Sequence, residues 1–366
     1  MPTRDVWRMH RAGSLNRLRR ETEDLGAPPP GHARVVVGAV GLNFADLAAC
    51  LGLYSATPKG AFVPGLEFAG TVEAVGDGVT TVASGDRVIG LTRFGGYATL
   101  INADARYLHP LPAGWSVGDG AALPVQAITA WYAISELGAC KPGDGVLVQS
   151  AAGGVGLNAL VILRAIGARV VATVGHESKV AFLIERAGLE RRQIIVRDRR
   201  AFAAQLDDAL RANGMDGFHL VLDAVAGPFF EPAFRRLLPA GRLVIYGAAD
   251  LMPAGARTNW LKLAARYVTR PRIDPINMVS ANRSVMGFNL IWLWDQADRL
   301  AGAYASLAPC ITRPPHVGRR FPFGEAPAAM RYLQGGGSVG KVVLETAQSG
   351  SGDRLSMPAS PPGTRA

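Results

Sequence analysis

The run Val146-Leu147-Val148-Gln149-Ser150-Ala151-Ala152-Gly153-Gly154-Val155-Gly156 constrains the fold of this chain more than any other segment. An apolar strand enters a glycine-rich turn, and the pattern of residues 155–166 that follows is helical. Such a turn lets the backbone approach a pyrophosphate, and free N–H groups at the helix start attract its charge. Three glycines alone are weak evidence, because an ordinary turn between strand and helix looks similar. The setting gives them weight. Strand-like runs at 146–149, 169–174, 193–196, 218–224 and 241–246 alternate with helical patterns at 155–166, 179–187, 201–212 and 229–238. That alternation calls for an α/β fold: a doubly wound parallel sheet with helices on both faces. Residues 284–290 read as a further strand, 295–307 as a helix and 341–345 as a last strand.

The first 120 or so residues have a different texture. Short strands at 34–42, 68–75, 87–91 and 96–101 are separated by turns such as Gly76-Asp77-Gly78 and Gly85-Asp86, the pattern of a small barrel-like β domain. Residues 123–137 then read as helix. The basic, proline-broken segment 259–277 fits neither pattern. Residues 347–366, rich in Ser, Pro and Gly, read as a disordered tail.

Lys plus Arg exceed Asp plus Glu by 39 − 29 = +10. An excess of this kind favours anionic partners, but it is carried by arginines without interleaved aromatics, so no nucleic acid is expected. Cys50, Cys140 and Cys310 form no CxxC pair, which excludes a disulfide framework and a cysteine-rich zinc lobe and makes a reducing cytoplasm the expected setting. No signal peptide and no apolar run of membrane-spanning length is visible.

The second strand of the parallel sheet ends at Val174-Gly175-His176-Glu177-Ser178-Lys179. A site for NAD usually carries an acid here to bind the ribose 2′-hydroxyl. Gly175 takes that place, with Glu177 as a rival two residues on. Ser178 and Lys179 offer a hydroxyl and a cation to a 2′-phosphate, and Arg197 a second cation. NADP(H) is therefore expected over NAD(H), against the plain alternative that Lys179 is an exposed charge opening a helix.

Taken in order, Gly41-Leu42-Asn43-Phe44-Ala45-Asp46, Pro64-Gly65-Leu66-Glu67-Phe68-Ala69-Gly70, Gly85-Asp86-Arg87-Val88, Leu123-Pro124-Val125-Gln126-Ala127-Ile128-Thr129-Ala130, the glycine turn and Gly340-Lys341-Val342-Val343-Leu344 resemble the quinone oxidoreductase (zeta-crystallin-like) branch of the medium-chain dehydrogenase/reductase superfamily. The stretch Asn282–Leu290 and the insertion before it resemble the subgroup of vesicle amine transport protein homologues. The resemblance implies a GroES-like substrate domain over residues 1–122, completed by 300–346, and a Rossmann domain over 123–299. It implies a homodimer paired through the strand at 284–290. Asn43 and Leu66 stand where zinc-dependent relatives carry Cys and His, so a zinc-independent enzyme is implied. Without a Lewis acid, hydride transfer to a quinone or an α,β-unsaturated carbonyl is favoured over alcohol oxidation, because its charge is delocalised and needs only hydrogen-bond donors.

The resemblance places Tyr54 and Asn43 in the substrate pocket as candidate donors, while Ala48 replaces a second pocket tyrosine. It places Thr129 near the nicotinamide, Phe288 and Leu290 beside its carboxamide, and Lys341 at the pocket edge. Ala151, Gly153, Gly154, Val155, Gly156, Gly175, Ser178, Lys179, Arg197 and Tyr246 complete the expected cofactor site. Asp46 and Glu67 read as structural. An enoyl thioester is a third acceptor class, with Lys262, Arg266, Arg270 and Arg272 as a basic entrance for its arm. The competing class is a weakly catalytic nucleotide-binding protein that meets a membrane or a protein partner, with Trp260 and Leu261 beside those cations as a surface for an anionic membrane.

Overall fold

The structure is a computed structural model that describes residues 1–253, 255 and 260–347, without the side chains of Trp260 and Lys262. The tail reading falls almost wholly outside the described residues. So do Asn259 and the side-chain parts of the proposals for Trp260 and Lys262.

The N-terminal half opens with β1 (Thr3–Met9), β2 (Leu18–Asp24), β3 (His32–Gly41), the helix α1 (Phe44–Cys50), β4 (Glu67–Val75), β5 (Arg87–Leu91), β6 (Leu100–Asp104), β7 (Leu108–Pro110) and the short α2 (Val117–Gly120). Then come α3 (Pro124–Trp131), β8 (Gly145–Val148), α4 (Gly154–Ile166), β9 (Arg169–Val174), α5 (Val180–Ala187), β10 (Ile194–Val196), α6 (Phe202–Ala212), β11 (Phe218–Asp223), α7 (Phe230–Arg235) and β12 (Leu237–Ile245). The chain continues through α8 (Trp260–Val268), α9 (Pro275–Ala281), β13 (Ser284–Gly287), α10 (Ala297–Leu307), β14 (Val317–Pro322), α11 (Ala326–Gln334) and β15 (Lys341–Glu345).

Strands β8 to β13 build one six-stranded parallel sheet in the order β10-β9-β8-β11-β12-β13. Numbered from β8, that is the doubly wound order 3-2-1-4-5-6, whose connections reverse between β8 and β11 and open a crevice at the strand ends. The strands are buried on both faces and accordingly apolar; Val146, Leu147 and Val148 are all fully buried. The second sheet has seven strands, with β14-β15-β3-β4-β5-β7 in line and β6 paired to β3. A GroES-like β unit thus stands beside a Rossmann sheet.

Several elements depart from the sequence reading for local reasons. The segment before residue 34, where no strand is read from the sequence, is an antiparallel pair, β1 on β2. Ion pairs Arg4–Glu23 and Arg8–Glu21 link its strands, and Val6, Met9, Leu15 and Leu18 are buried. Residues 123–137 form α3 followed by a π-helical stretch, Tyr132–Leu137. The helix expected to reach 238 stops at Arg235, because Leu237 pairs with Phe218 and begins β12. The last parallel strand ends at Gly287 rather than 290, giving way to a 3-10 turn over Leu290–Leu293. The segment read as fitting neither pattern contains α8 and the start of α9.

Two aromatic stacks fasten α10 and the turn before it to the β unit. Tyr107 lies on Trp294 with centroids 3.9 Å apart, and His109 lies on Tyr304 at 4.3 Å.

Candidate functional site

Where β8 enters α4, the backbone of Ser150 takes φ +55°, a left-handed conformation costly for a residue with a side chain. The turn then delivers Gly153 to the start of α4. The first intrahelical bond runs from Leu157 N–H to the Gly153 carbonyl at 2.9 Å, so the N–H groups of Gly154, Val155 and Gly156 stand ahead of it. The glycines answer different needs. A Cβ at Gly156 would lie 2.6 Å from the Ala151 Cα, so this glycine allows helix and strand to touch. A Cβ at Gly154 would overlap Gln126 Oε1, so this one seats the Gln126 amide.

The turn forms one wall of a cavity of about 1090 Å³ between the two sheets. Its lining brings together Asn43 and Tyr54 of the β unit, Thr129 of α3, and Gly153, Gly154, Val155, Gly156, Gly175, Lys179, Arg197, Tyr246, Phe288 and Leu290 around the parallel sheet. Three expected members lie outside the lining. Ala151 is fully buried behind the turn. Ser178 spends its hydroxyl on His176 Nδ1 at 2.8 Å. Lys341 is corrected from pocket edge to buried interior: it is 1% exposed, and its ammonium bonds Glu67 and, at 2.8 Å, Asn43 Oδ1.

That lysine belongs to a buried polar cluster beneath the cavity floor. Glu67, fully buried, accepts from Lys341, from Asn43 Nδ2 at 2.8 Å and from Val125 N–H at 2.8 Å. Burial holds the Lys341 ammonium below the usual lysine range, while the Glu67 carboxylate opposes that shift. Asp46 accepts from Asn43 N–H at 2.8 Å, and burial raises its carboxyl to about 7. Asn43 is therefore corrected as a donor to substrate. One amide hydrogen goes to Glu67, the other is directed at the Gly41 carbonyl at 3.4 Å, and the oxygen is taken by Lys341. Among the described residues no group of three His, Cys, Asp or Glu could hold a metal ion.

At the end of β9 the lining carries Gly175, Lys179 and Arg197 and no acid. Glu177 points elsewhere, 3.7 Å from Arg191. Lys179 Nζ donates to the carbonyls of Gly336 at 2.6 Å and Ser338 at 2.8 Å. Arg197 donates to Thr173 Oγ1 at 2.7 Å and stands 5.3 Å above the Phe229 ring. Burial lowers both cations, Arg197 to about 10, which leaves the guanidinium charged at neutral pH.

On the substrate side, Tyr54 O–H donates to Asn289 Oδ1 at 2.8 Å, a bond across the cleft. Burial pushes the Tyr54 hydroxyl up to about 12. Phe94 packs edge-on to Tyr54 with centroids 6.5 Å apart. Thr129 donates to the Val125 carbonyl at 2.6 Å. Gln126 and Asn289 also line the cleft, and sequence reasoning passed over both. Neither stands out by its residue type or spacing. Only the fold reveals that Gln126 Oε1 and the Tyr246 hydroxyl are buried without a partner, the state of polar groups that await a ligand.

Among the described side chains, which leave out that of Lys262, the basic entrance expected for a thioester arm is not assembled. Tyr267 lines the cleft, but Arg270 stacks on it with 3.7 Å to the centroid, and Arg266 donates to the Asp250 carbonyl. Arg272 lines a separate cavity of about 400 Å³ with Phe230 and Arg283.

Comparison with known proteins agrees with this architecture. Residues 29–113 match the family described as "Alcohol dehydrogenase GroES-like domain", and residues 192–344 match "Zinc-binding dehydrogenase". The chain is 32% identical over 321 residues to the human "Synaptic vesicle membrane protein VAT-1 homolog", covering 87% of this chain and 80% of that protein. It superposes on the quinone oxidoreductase of Thermus thermophilus, a protein also solved in complex with NADPH, with TM-score 0.72, 32% identity and coverage of 93% and 99%. The CurK enoyl reductase gives TM-score 0.76 at 28% identity, with coverage of 94% and 99%. The chain belongs to the medium-chain dehydrogenase/reductase superfamily, as an oxidoreductase of the branch that holds the quinone oxidoreductases and the VAT-1 homologues.

Proposed function

We propose that this protein is a zinc-independent reductase that uses NADPH to reduce a quinone or an α,β-unsaturated carbonyl. The observation that carries the reading is the end of β9, where Gly175 leaves room and Lys179 and Arg197 supply two cations without an acid to repel a 2′-phosphate. The fit to a dinucleotide is supported by the uncommitted N–H groups at the start of α4 and by the orphaned Gln126 and Tyr246 polar atoms. Gly153, Gly154, Val155 and Gly156 would hold the pyrophosphate, and Thr129, Phe288 and Leu290 would flank the nicotinamide. The bound cofactor would supply a hydride.

The chain's own contribution is binding, orientation and exclusion of water. Leu42, Leu53, Leu66, Leu91, Ile291 and Trp294 give the cleft apolar walls suited to a planar, weakly polar acceptor. Reduction of an enone places negative charge on its oxygen and needs one proton at the α-carbon, so a donor facing that oxygen lowers the barrier. The Lys341 ammonium is bonded to Glu67 and to Asn43, the residue that stands in sequence where the resemblance implies a Cys in zinc-dependent relatives.

Homodimer formation is part of the proposal. Strand β13 is the outermost strand of the parallel sheet, with one edge open to a second copy, and α9 before it exposes Ile276 and Val279. No helix among the described residues is long and apolar enough to cross a membrane.

The test is NADPH oxidation by the purified protein, followed by absorbance, with an ortho-quinone and with an α,β-unsaturated ketone, each repeated with NADH. Turnover favouring NADPH is expected. Preference for NADH sinks the cofactor assignment. Absence of oxidation with either cofactor sinks the reductase reading and favours the nucleotide-binding alternative.

A further inference from the structure

A carbonyl or quinone oxygen that gains charge must meet an N–H or O–H with no other obligation. The hydroxyl and amide groups around Tyr54 can be followed one by one. Both hydrogens of the Asn43 amide are directed at Glu67 and Gly41. Thr129 donates to the Val125 carbonyl, and Thr92 donates to the Phe94 carbonyl at 2.6 Å. Tyr54 itself donates to Asn289 Oδ1 at 2.8 Å. Beside Tyr54, Asn289 Nδ2 remains: it lies on a cleft-lining residue and donates to no group among the described residues, whereas the Tyr246 hydroxyl and the Gln126 amide, the further partnerless groups of the cleft, stand with the dinucleotide in the reading above.

The backbone holds Asn289 firmly. Phe288 N–H extends the β13 ladder to the Ile245 carbonyl at 3.1 Å, and the Asn289 carbonyl accepts Trp292 N–H at 3.0 Å. A side-chain amide anchored in this way keeps one freedom, the flip that exchanges its oxygen and its nitrogen. Tyr54 biases that flip toward the oxygen, because a flipped amide would have to donate to the phenol and leave the Tyr54 O–H without the one acceptor it has among the described residues. The tyrosine is in turn fixed by Phe94, whose backbone sits at φ +75° and whose ring also packs on Phe62 at 5.6 Å. With its hydroxyl pushed up to about 12 by burial, Tyr54 keeps its proton, and the lock with it, through the neutral range.

We propose that Asn289 Nδ2 is the hydrogen-bond donor to the oxygen that becomes charged during reduction, and that Tyr54 is a positioning residue that turns this donor into the cleft. The proposal rests on the reductase reading above. It exchanges the roles that the sequence suggests, giving the catalytic contact to a residue that sequence reasoning passed over. In the overall step, the acceptor's β-carbon gains a hydride, its π electrons move to the oxygen held by Asn289, and solvent returns a proton to the α-carbon.

Asn289→Asp tests the assignment, because aspartate keeps an oxygen for Tyr54 and puts a charged acceptor where the NH2 donor was; Asn289→Leu, which removes the donor without adding charge, should lower kcat in the same direction. The expected result is a loss in kcat of about 100-fold or more, with the acceptor KM and the NADPH dissociation constant, read by cofactor fluorescence, within about twofold of wild type. Tyr54→Phe, which loses one neutral hydrogen bond and leaves the donor in place, is expected to lower kcat by roughly fivefold. Binding of 4-nitrophenolate in the presence of NADP+, followed by its absorbance, gives a readout without turnover. Asn289→Asp should weaken it about tenfold or more and Tyr54→Phe much less. The assignment is overturned if Tyr54→Phe costs about 100-fold while Asn289→Asp stays within about threefold, or if neither substitution changes nitrophenolate binding. A wild-type protein that oxidises no NADPH yet shows the expected nitrophenolate pattern refutes the reductase reading and leaves the donor geometry standing.

Discussion

Replacing Lys341 by methionine removes a cation from a place where water cannot substitute for it. The ammonium is 1% exposed, Glu67 opposite it is fully buried, and Asn43 Oδ1 depends on the same donor. Breaking one side of a buried ion pair costs about 3–5 kcal/mol, because the abandoned charge remains desolvated. Unfolding entropy near 2.1 cal/mol/K per residue, over a chain of 366 residues, converts that loss into a fall in Tm of roughly 4–6 °C. The double substitution Lys341→Met with Glu67→Gln removes the abandoned charge, and its amide can still accept from Val125 N–H. It should recover more than half of the loss. Thermal unfolding followed by circular dichroism at neutral pH measures both. A single variant that unfolds within about 1 °C of wild type refutes the reasoning, and so does a double variant no more stable than the single one.

Three further outcomes follow from the same geometry. Lys179→Ala should raise the NADPH dissociation constant roughly tenfold, the scale of one charge-assisted bond, and leave NADH within about twofold; equal losses for both cofactors would contradict a phosphate contact. Gly154→Ala drives a Cβ into Gln126 Oε1, so it should destabilise by about 1–3 kcal/mol; adding Gln126→Ala should restore most of that, and failure to do so in chemical denaturation would show that the clash lies elsewhere. Asp46, raised to about 7 by burial, binds its proton more tightly folded than unfolded. Stability attached to it is complete below the unfolded pKa near 3.8 and is lost as pH rises through about 7. Asp46→Asn should therefore flatten the decline between about pH 4 and pH 7 in a series of urea titrations.

What the sequence reveals of this protein is what local pattern can carry. The parallel sheet is legible because buried strands are uniformly apolar, and β9 and β15 begin and end where the pattern says. The phosphate turn is legible because its glycines stand between a strand and a helix. The paired β1 and β2 are not, since their charged residues are satisfied only across the pair, as in Arg4–Glu23, and no strand is read there from either segment alone. The fates of Asn43 and Lys341 are also hidden. Position alone puts both in the pocket, whereas their separation by 298 residues conceals that they satisfy each other. Gln126 and Asn289 draw no notice from their residue type or spacing. Their interest arises from one amide atom without a partner among the described residues, Oε1 in Gln126 and Nδ2 in Asn289, which only the folded chain discloses.

One contact between the two sheets bears on how the cleft can move. Gly153 and Gly340 form an isolated parallel bridge, with Gly340 N–H donating to the Ala152 carbonyl at 2.8 Å, and the next residue is Lys341 of the buried cluster. The phosphate turn and the floor of the cavity are thus sewn together along one narrow seam. Lys179 adds a stitch nearby, through the carbonyls of Gly336 and Ser338. Widening at this seam would break these hydrogen bonds together, so the turn and the floor are tied to move as one. A 2′-phosphate bound by Lys179 would compete for the ammonium that bonds Gly336 and Ser338, so the seam and the proposed cofactor contact draw on the same cation.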